Sequence, residues 1–134
     1  TVRMNPLEDP DGLRDLDAAM RAGADAILLP KANTTEQITF LQKHINEMEK
    51  QCGKTVSSTK IIPNIEQARG LINATDILSS STQIAGALVA SEDMVVSLNA
   101  PRKKRELNRQ PLWQVKCLIG SMVLNLDLFY SSQH

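Results

Sequence analysis

Short apolar runs alternate with longer segments of helical periodicity along most of the chain. The runs near residues 2–5, 26–30, 60–65 and 86–90 are too short for helices and predict strands. Between them, apolar residues recur three or four positions apart over about 12–22, 34–51 and 67–79, which predicts amphipathic helices. The order is therefore β-α-β-α-β-α-β, and this alternation favours parallel strands joined by helical crossovers.

Residues at the ends of these segments support most of the boundaries. Asp11 is a candidate N-cap of the first helix, and Thr34 with Gln37 has the spacing of a capping box at the start of the second. Gly23 follows the first helix, where a left-handed residue commonly ends one. Pro63 lies inside the third predicted strand and is awkward there, because proline cannot donate a ladder hydrogen bond.

The chain length decides which parallel fold these units can form. A TIM barrel has eight β/α units in roughly 250 residues, and this chain of 134 residues holds about four consecutive ones. The sequence therefore predicts an α/β fold that is either a partial TIM barrel or a small open, flavodoxin-like domain. We divide it into a partial barrel over 1–100 and a C-terminal segment over 101–134, which contains a helix up to about 124 and a final strand near 126–130.

Composition excludes several classes of protein. Fifteen basic and fifteen acidic residues give zero net charge, which argues against a nucleic-acid binder. With 42% hydrophobic and 22% charged residues the chain is not a disordered tail, and no apolar run is long enough to span a membrane. The two cysteines form no CxxC motif. Neutral charge and unpaired cysteines favour an intracellular protein, cytoplasmic or mitochondrial.

Charged residues follow the predicted strands at the edge where parallel α/β folds bind ligands. These residues are Arg3, beside the polar Asn5, then Lys31, Glu66, and Glu92 with Asp93. Carboxylates suit a hard cation such as Mg²⁺, and no histidine lies near these strand ends, so zinc or iron is less expected. For each residue alone, a helix cap or a solvated loop side chain is the commoner explanation. Together they indicate a site for a metal ion and an anionic substrate.

Four segments at these strand ends also resemble a known family. In order, they are VRMN at 2–5, LPK at 29–31, IPNIEQARG at 62–70 and ASEDM at 90–94. They resemble the successive strand motifs of the citrate lyase beta-subunit-like family, in the HpcH/HpaI aldolase superfamily with the malyl-CoA and citramalyl-CoA lyases. The resemblance covers about residues 1–100. It implies a TIM barrel of which this chain holds strands three to six, and it makes Pro63 a family feature.

The resemblance also implies a chemistry. It places Mg²⁺ on Glu66 and Asp93, and it places Arg3 as the catalytic residue, with Arg3 and Glu66 beside the substrate. The expected reaction is Mg²⁺-dependent carbon–carbon cleavage of a 3-hydroxyacyl-CoA, which could be citramalyl-CoA, malyl-CoA or citryl-CoA. Its products would be acetyl-CoA, or a related acyl-CoA, and an α-keto acid. The acid that protonates the enolate comes from the family's C-terminal part, often of a neighbouring subunit, so a homo-oligomer is expected.

Two departures from the family keep an alternative open. Ser91 stands where the family usually has glycine or alanine, which is a mild change. After Pro101 the sequence diverges from the family's next helix. The chain could therefore be a catalytically inactive fragment, or an accessory or assembly domain of the same family, that keeps the motifs without the complete catalytic set.

Overall fold

The computed structural model describes residues 1–99 and the backbone of residues 127–130. Five parallel strands form one sheet: β1 (Val2–Arg3), β2 (Ala26–Leu29), β3 (Lys60–Ile65), β4 (Gly86–Val89) and β5 (Asp127–Tyr130). The helices between them are α1 (Gly12–Arg21), α2 (Thr35–Gln51), α3 (Ala68–Ile72), α4 (Ala74–Ser79) and α5 (Ser91–Ser97). In this part of the chain, no helix combines the length and the apolar composition that crossing a bilayer requires.

All five predicted strands are confirmed, including the last, which pairs in parallel with β4. The predicted helix up to residue 124 lies outside the described residues. The division into segments 1–100 and 101–134 stays a prediction.

The strands follow one another across the sheet in the order β1-β2-β3-β4-β5. A flavodoxin-like domain reverses its strand order, so that alternative is wrong. Right-handed crossovers that all run in one direction place their helices on the same face of a sheet, as in a barrel wall. The packing of α1 on α2 and of α2 on α4 agrees with this arrangement. Burial alternates accordingly: Ile27 and Leu29 are fully buried, whereas Leu28 between them and Ile62 beside it are half-buried.

The helix ends match the sequence predictions with one exception. The Thr34 hydroxyl accepts from the Gln37 amide at 3.4 Å, and the Gln37 side chain accepts from the Thr34 amide at 3.1 Å, so the capping box is confirmed. Gly23 has φ +83° as expected. Asp11 does stand at the N-cap position of α1, but its side chain does not cap the helix: its backbone is already helical, and its carboxylate accepts from Arg14 instead of a helix amide. Capping needs an extended residue to turn its side chain back.

The single helix expected over 67–79 is divided into α3 and α4 at Asn73. The Asn73 side-chain amide donates to the backbone oxygen of Asn33 at 2.8 Å. Three residues earlier, Gly70 packs against the same segment: a Cβ there would lie 2.3 Å from the backbone oxygen of Ala32. The break therefore coincides with contacts to the loop after β2.

Pro63 is accommodated in β3 by the way the strand bonds to its neighbours. Two residues earlier, Ile61 donates to the Gln83 oxygen at 2.9 Å and accepts from the Ala85 amide at 3.2 Å. Alternate residues of a strand bond to the same neighbour, so the nitrogen of Pro63 faces the β4 side without a hydrogen to donate.

The pairing of β3 with β4 is irregular at this same place. Ile61 pairs with Ile84, and the next pair is Asn64 with Leu88. The step is three residues on β3 (61 to 64) and four on the β4 side (84 to 88), so one extra residue forms a β-bulge. The missing donor of Pro63 falls within the bulge, where proline is tolerated.

Candidate metal site

Glu66 directly follows β3 at the carboxyl edge of the sheet and is only 4% exposed. Its Oε1 accepts a hydrogen bond from the backbone amide of Lys31 at 3.1 Å. Its Oε2 accepts one from the side-chain amide of Asn64 at 2.5 Å. Each carboxylate oxygen thus has one donor, one from the loop after β2 and one from β3, so the carboxylate is held in one orientation.

Lys31 belongs to the loop after β2, and this loop is bonded to β3. Its φ of +50° is a left-handed conformation that lysine rarely adopts. The next residue, Ala32, donates to the backbone oxygen of Asn64 at 3.1 Å, and the Gln37 side chain donates to the oxygen of Lys31 at 3.4 Å. Such strain persists where surrounding bonds fix the backbone, and here it accompanies an amide directed at Glu66.

The charges that act on the pKa of Glu66 come from other residues predicted from the sequence. Burial raises the pKa of Glu66, and the negative charge of Asp93 raises it further. The Lys31 amide and the positive charges of Arg3 and Lys31 act against this rise, but the pKa of Glu66 stays above its ordinary value. Asp93, exposed in α5, and Arg3, on β1, therefore both lie within electrostatic reach of Glu66.

The oxygen donors at this edge fit Mg²⁺ better than a softer metal. Mg²⁺ usually takes one or two protein carboxylates and keeps water or substrate in its other positions. Within the described residues, no three acidic, histidine or cysteine side chains come together as a metal-binding group. The two carboxylates of Glu66 and Asp93 stay the predicted ligands. The Oδ1 atom of Asn64 is buried and has no hydrogen-bond partner in the described structure.

The sequence prediction missed the contributions of Asn64 and of the Lys31 amide. A signal for Asn64 was present, because a polar residue among isoleucines two positions before Glu66 shares its side of the strand. Nothing in the sequence signals the left-handed backbone of Lys31.

Comparisons with known proteins agree with the strand-end motifs. Residues 1–115 match the profile described as HpcH/HpaI aldolase/citrate lyase. Citrate lyase subunit beta of Haemophilus influenzae is 36% identical over 101 residues, which are 75% of this chain and 35% of that protein. The subunit from Escherichia coli K12 is also 36% identical over 101 residues, 75% of this chain and 33% of that protein. The chain thus spans about a third of the length of these curated relatives.

Solved structures of similar proteins confirm the partial TIM barrel. A citrate lyase from Burkholderia xenovorans LB400 has a TM-score of 0.83 at 14% identity, covering 99% of this chain and 45% of that one. The citrate lyase beta subunit of Mycobacterium tuberculosis, complexed with oxaloacetate and magnesium, has a TM-score of 0.69 at 24% identity, covering 96% of this chain and 52% of that one. About half of each solved chain is therefore matched.

Proposed function

Because the chain belongs to the HpcH/HpaI aldolase/citrate lyase family, we propose that it acts as a Mg²⁺-dependent carbon–carbon lyase. Its substrate would be a 3-hydroxyacyl-CoA such as citramalyl-CoA, malyl-CoA or citryl-CoA, and its products an acyl-CoA and an α-keto acid. The observation that carries the proposal is the buried Glu66 carboxylate with Asp93 and Arg3 within electrostatic reach. The oxaloacetate and magnesium of the Mycobacterium tuberculosis structure are an α-keto acid and the proposed metal.

Each site residue has a role that follows from its chemistry. Glu66 and Asp93 would hold Mg²⁺, which when bound supplies a Lewis acid and a template for the substrate oxygens. In the reaction, the hydroxyl oxygen would become the keto oxygen of the α-keto acid as the carbon–carbon bond breaks, and the electrons of that bond would form the enolate of the departing acyl-CoA. The proton lost from the hydroxyl is balanced by the proton that the enolate takes up. Arg3 is a permanently charged donor suited to that developing negative charge. Proton transfer to the enolate is assigned to the family's C-terminal acid, outside residues 1–100.

The relatives also bear on partners and location. An acyl-CoA and an α-keto acid are the proposed ligands, and a homo-oligomer is the proposed assembly, because an acid from a neighbouring subunit often completes the family's catalytic set. An intracellular location remains our proposal. The curated relatives described above are bacterial, which gives the mitochondrial alternative no support.

Metal binding is the first test. Calorimetric titration of the chain with Mg²⁺ should show weak binding, and Glu66→Gln or Asp93→Asn should each abolish it. Asp76→Asn is the matched control, because Asp76 is an exposed acid in α4, and it should leave the affinity unchanged. Unchanged Mg²⁺ affinity in both site variants would refute the proposed metal site.

Turnover is the second test, and it distinguishes an active lyase from an inactive member of the family. Release of acyl-CoA from each of the three candidate esters should require Mg²⁺. Arg3→Lys should remove this activity while leaving Mg²⁺ affinity intact, because an ammonium lacks the planar fork of a guanidinium. The alternative is a catalytically inactive fragment, or an accessory or assembly domain, of the same family. Mg²⁺ binding without turnover of any ester would establish that alternative.

A further inference from the structure

We infer that Asn64 is a positioning residue of the Mg²⁺ site, which it serves by aligning the carboxylate of Glu66. The inference rests on the proposed function and extends it to a residue that neither the strand-end motifs nor the family resemblance assigns a role. Asn64 lies in β3 and is 3% exposed. A buried amide in an isoleucine-rich strand is costly unless its hydrogen bonds are made, so its contacts indicate its role.

The contacts of Asn64 are directed at the site. Its Nδ2 donates to Glu66 Oε2 at 2.5 Å, and its backbone oxygen accepts from Ala32, in the loop whose Lys31 amide bonds to Glu66 Oε1. The carboxylate decides which way the amide faces, because an oxygen turned toward Glu66 would repel it. The Oδ1 atom must therefore point away from Oε2, and no donor in the described structure reaches it.

The unpartnered Oδ1 atom of Asn64 can accept a hydrogen bond from a group that enters the site together with the cation. A buried acceptor without a partner is unfavourable. Water or a substrate hydroxyl that enters with Mg²⁺ carries a hydrogen that Oδ1 can accept. Groups that orient metal-ligating side chains commonly change metal affinity 10- to 100-fold when they are removed.

The chain contains a second buried amide that serves as a matched control. Gln83 is 1% exposed, its Nε2 donates to the backbone oxygen of Thr59 at 3.0 Å, and its Oε1 also has no partner in the described structure. It precedes β4, at the amino edge of the sheet, far from Glu66 along the strands. Loss of the Gln83 amide therefore tests general destabilisation without touching the metal site.

The experiment measures Mg²⁺ affinity by calorimetry for the wild type, Asn64→Leu and Gln83→Met, two substitutions that keep the side-chain shape. A second readout is the rise in unfolding midpoint on adding saturating Mg²⁺. We expect Asn64→Leu to weaken Mg²⁺ binding about tenfold or more and to show a smaller rise than the wild type. Gln83→Met should lower the midpoint without Mg²⁺ but keep the wild-type affinity.

Asn64→Thr provides the same test if the leucine variant does not fold. Threonine suits a strand, and its hydroxyl is one bond too short to replace the amide, so it should also bind Mg²⁺ more weakly. If the wild type binds Mg²⁺ and both Asn64 variants bind it equally well, the inference is overturned and the proposed function stands. If the wild type does not bind Mg²⁺ at all, the proposed function fails first and removes the basis of the inference.

Discussion

Glu49 is a buried carboxylate on the helix before β3, and we predict that it stabilises the chain by fixing the segment that leads into this strand. It lies in α2 and is fully buried. Its Oε1 accepts from the Thr59 amide at 2.6 Å and from the Ser58 hydroxyl at 3.0 Å, and its Oε2 accepts from the Ser57 amide at 2.6 Å. One side chain thus binds three consecutive residues.

The protonation of Glu49 gives this prediction a pH dependence. Burial alone raises its pKa, but the hydrogen bonds from Thr59, Ser57 and Ser58 together outweigh burial, so the pKa lies below the ordinary value of 4.5. A carboxyl whose pKa is lowered by folding stabilises the folded state above its unfolded pKa. That contribution is lost as the pH falls through the lower, folded value.

The loss of stability expected for Glu49→Gln depends on which of the three hydrogen-bond donors can be solvated after the substitution. Ser57 and Ser58 are exposed, so their donors can be solvated after a substitution, whereas Thr59 is fully buried. Glu49→Gln keeps the shape but turns an NH₂ group toward one of these donors. A hydrogen bond to a charged group contributes about 1.5–3 kcal/mol. We therefore expect Glu49→Gln to lower the free energy of unfolding by about 2 kcal/mol at pH 7.

Urea denaturation followed by circular dichroism measures this loss, with Glu47→Gln as the control. Glu47 is an exposed residue of the same helix, and neutralising it should change stability by less than about 0.5 kcal/mol. The difference between wild type and Glu49→Gln should shrink below about pH 4. Equal stability of the two glutamine variants at pH 7, or a Glu49 effect that persists unchanged at pH 3, would refute this reasoning.

Two further predictions concern the loop after β2 and the charges of the site. Gly70→Ala should destabilise the chain by about 1–3 kcal/mol in urea unfolding, because its Cβ would lie 2.3 Å from the backbone oxygen of Ala32. Alanine otherwise favours helices, so a stabilised variant would contradict that contact. In an NMR titration without Mg²⁺, Asp93→Asn should lower the pKa of Glu66 and Arg3→Gln should raise it, since the two charges act on it in opposite directions. Shifts of the same sign would mean that these charges do not surround Glu66.

The strands were predictable because local signals mark them. Each is a short apolar run, and the prediction placed each within about two residues of its observed bounds. The break between α3 and α4 was not predictable from periodicity. It coincides with a hydrogen bond from Asn73 to Asn33, 40 residues away, and such a tertiary contact leaves no mark on the spacing of apolar residues. The role of Glu49 was also not predictable, because its hydrogen-bond donors lie in the segment after its helix and leave no mark on the apolar spacing of that helix.

The candidate site was predictable only in part: its charged side chains could be found in the sequence, but its backbone donor could not. Arg3, Glu66 and Asp93 act through charged side chains at strand ends, where topology alone makes charge informative. Lys31 contributes a backbone amide in a left-handed conformation, and any residue other than proline carries that group. The supporting donors of a site are therefore harder to find in a sequence than the charges that they support.

Pro63 links the fold of β3 to this site. As a strand residue it is locally unfavourable, and it weakened the prediction of β3. Its nitrogen, which has no hydrogen to donate, lies within the bulge. Regular pairing with β4 resumes at Asn64, the residue whose side-chain amide donates to Glu66. Bulges next to functional sites re-aim side chains, and proteins tend to break local rules at such sites. Pro63, the residue least suited to a strand, thus directly precedes the residue whose side chain holds the Glu66 carboxylate.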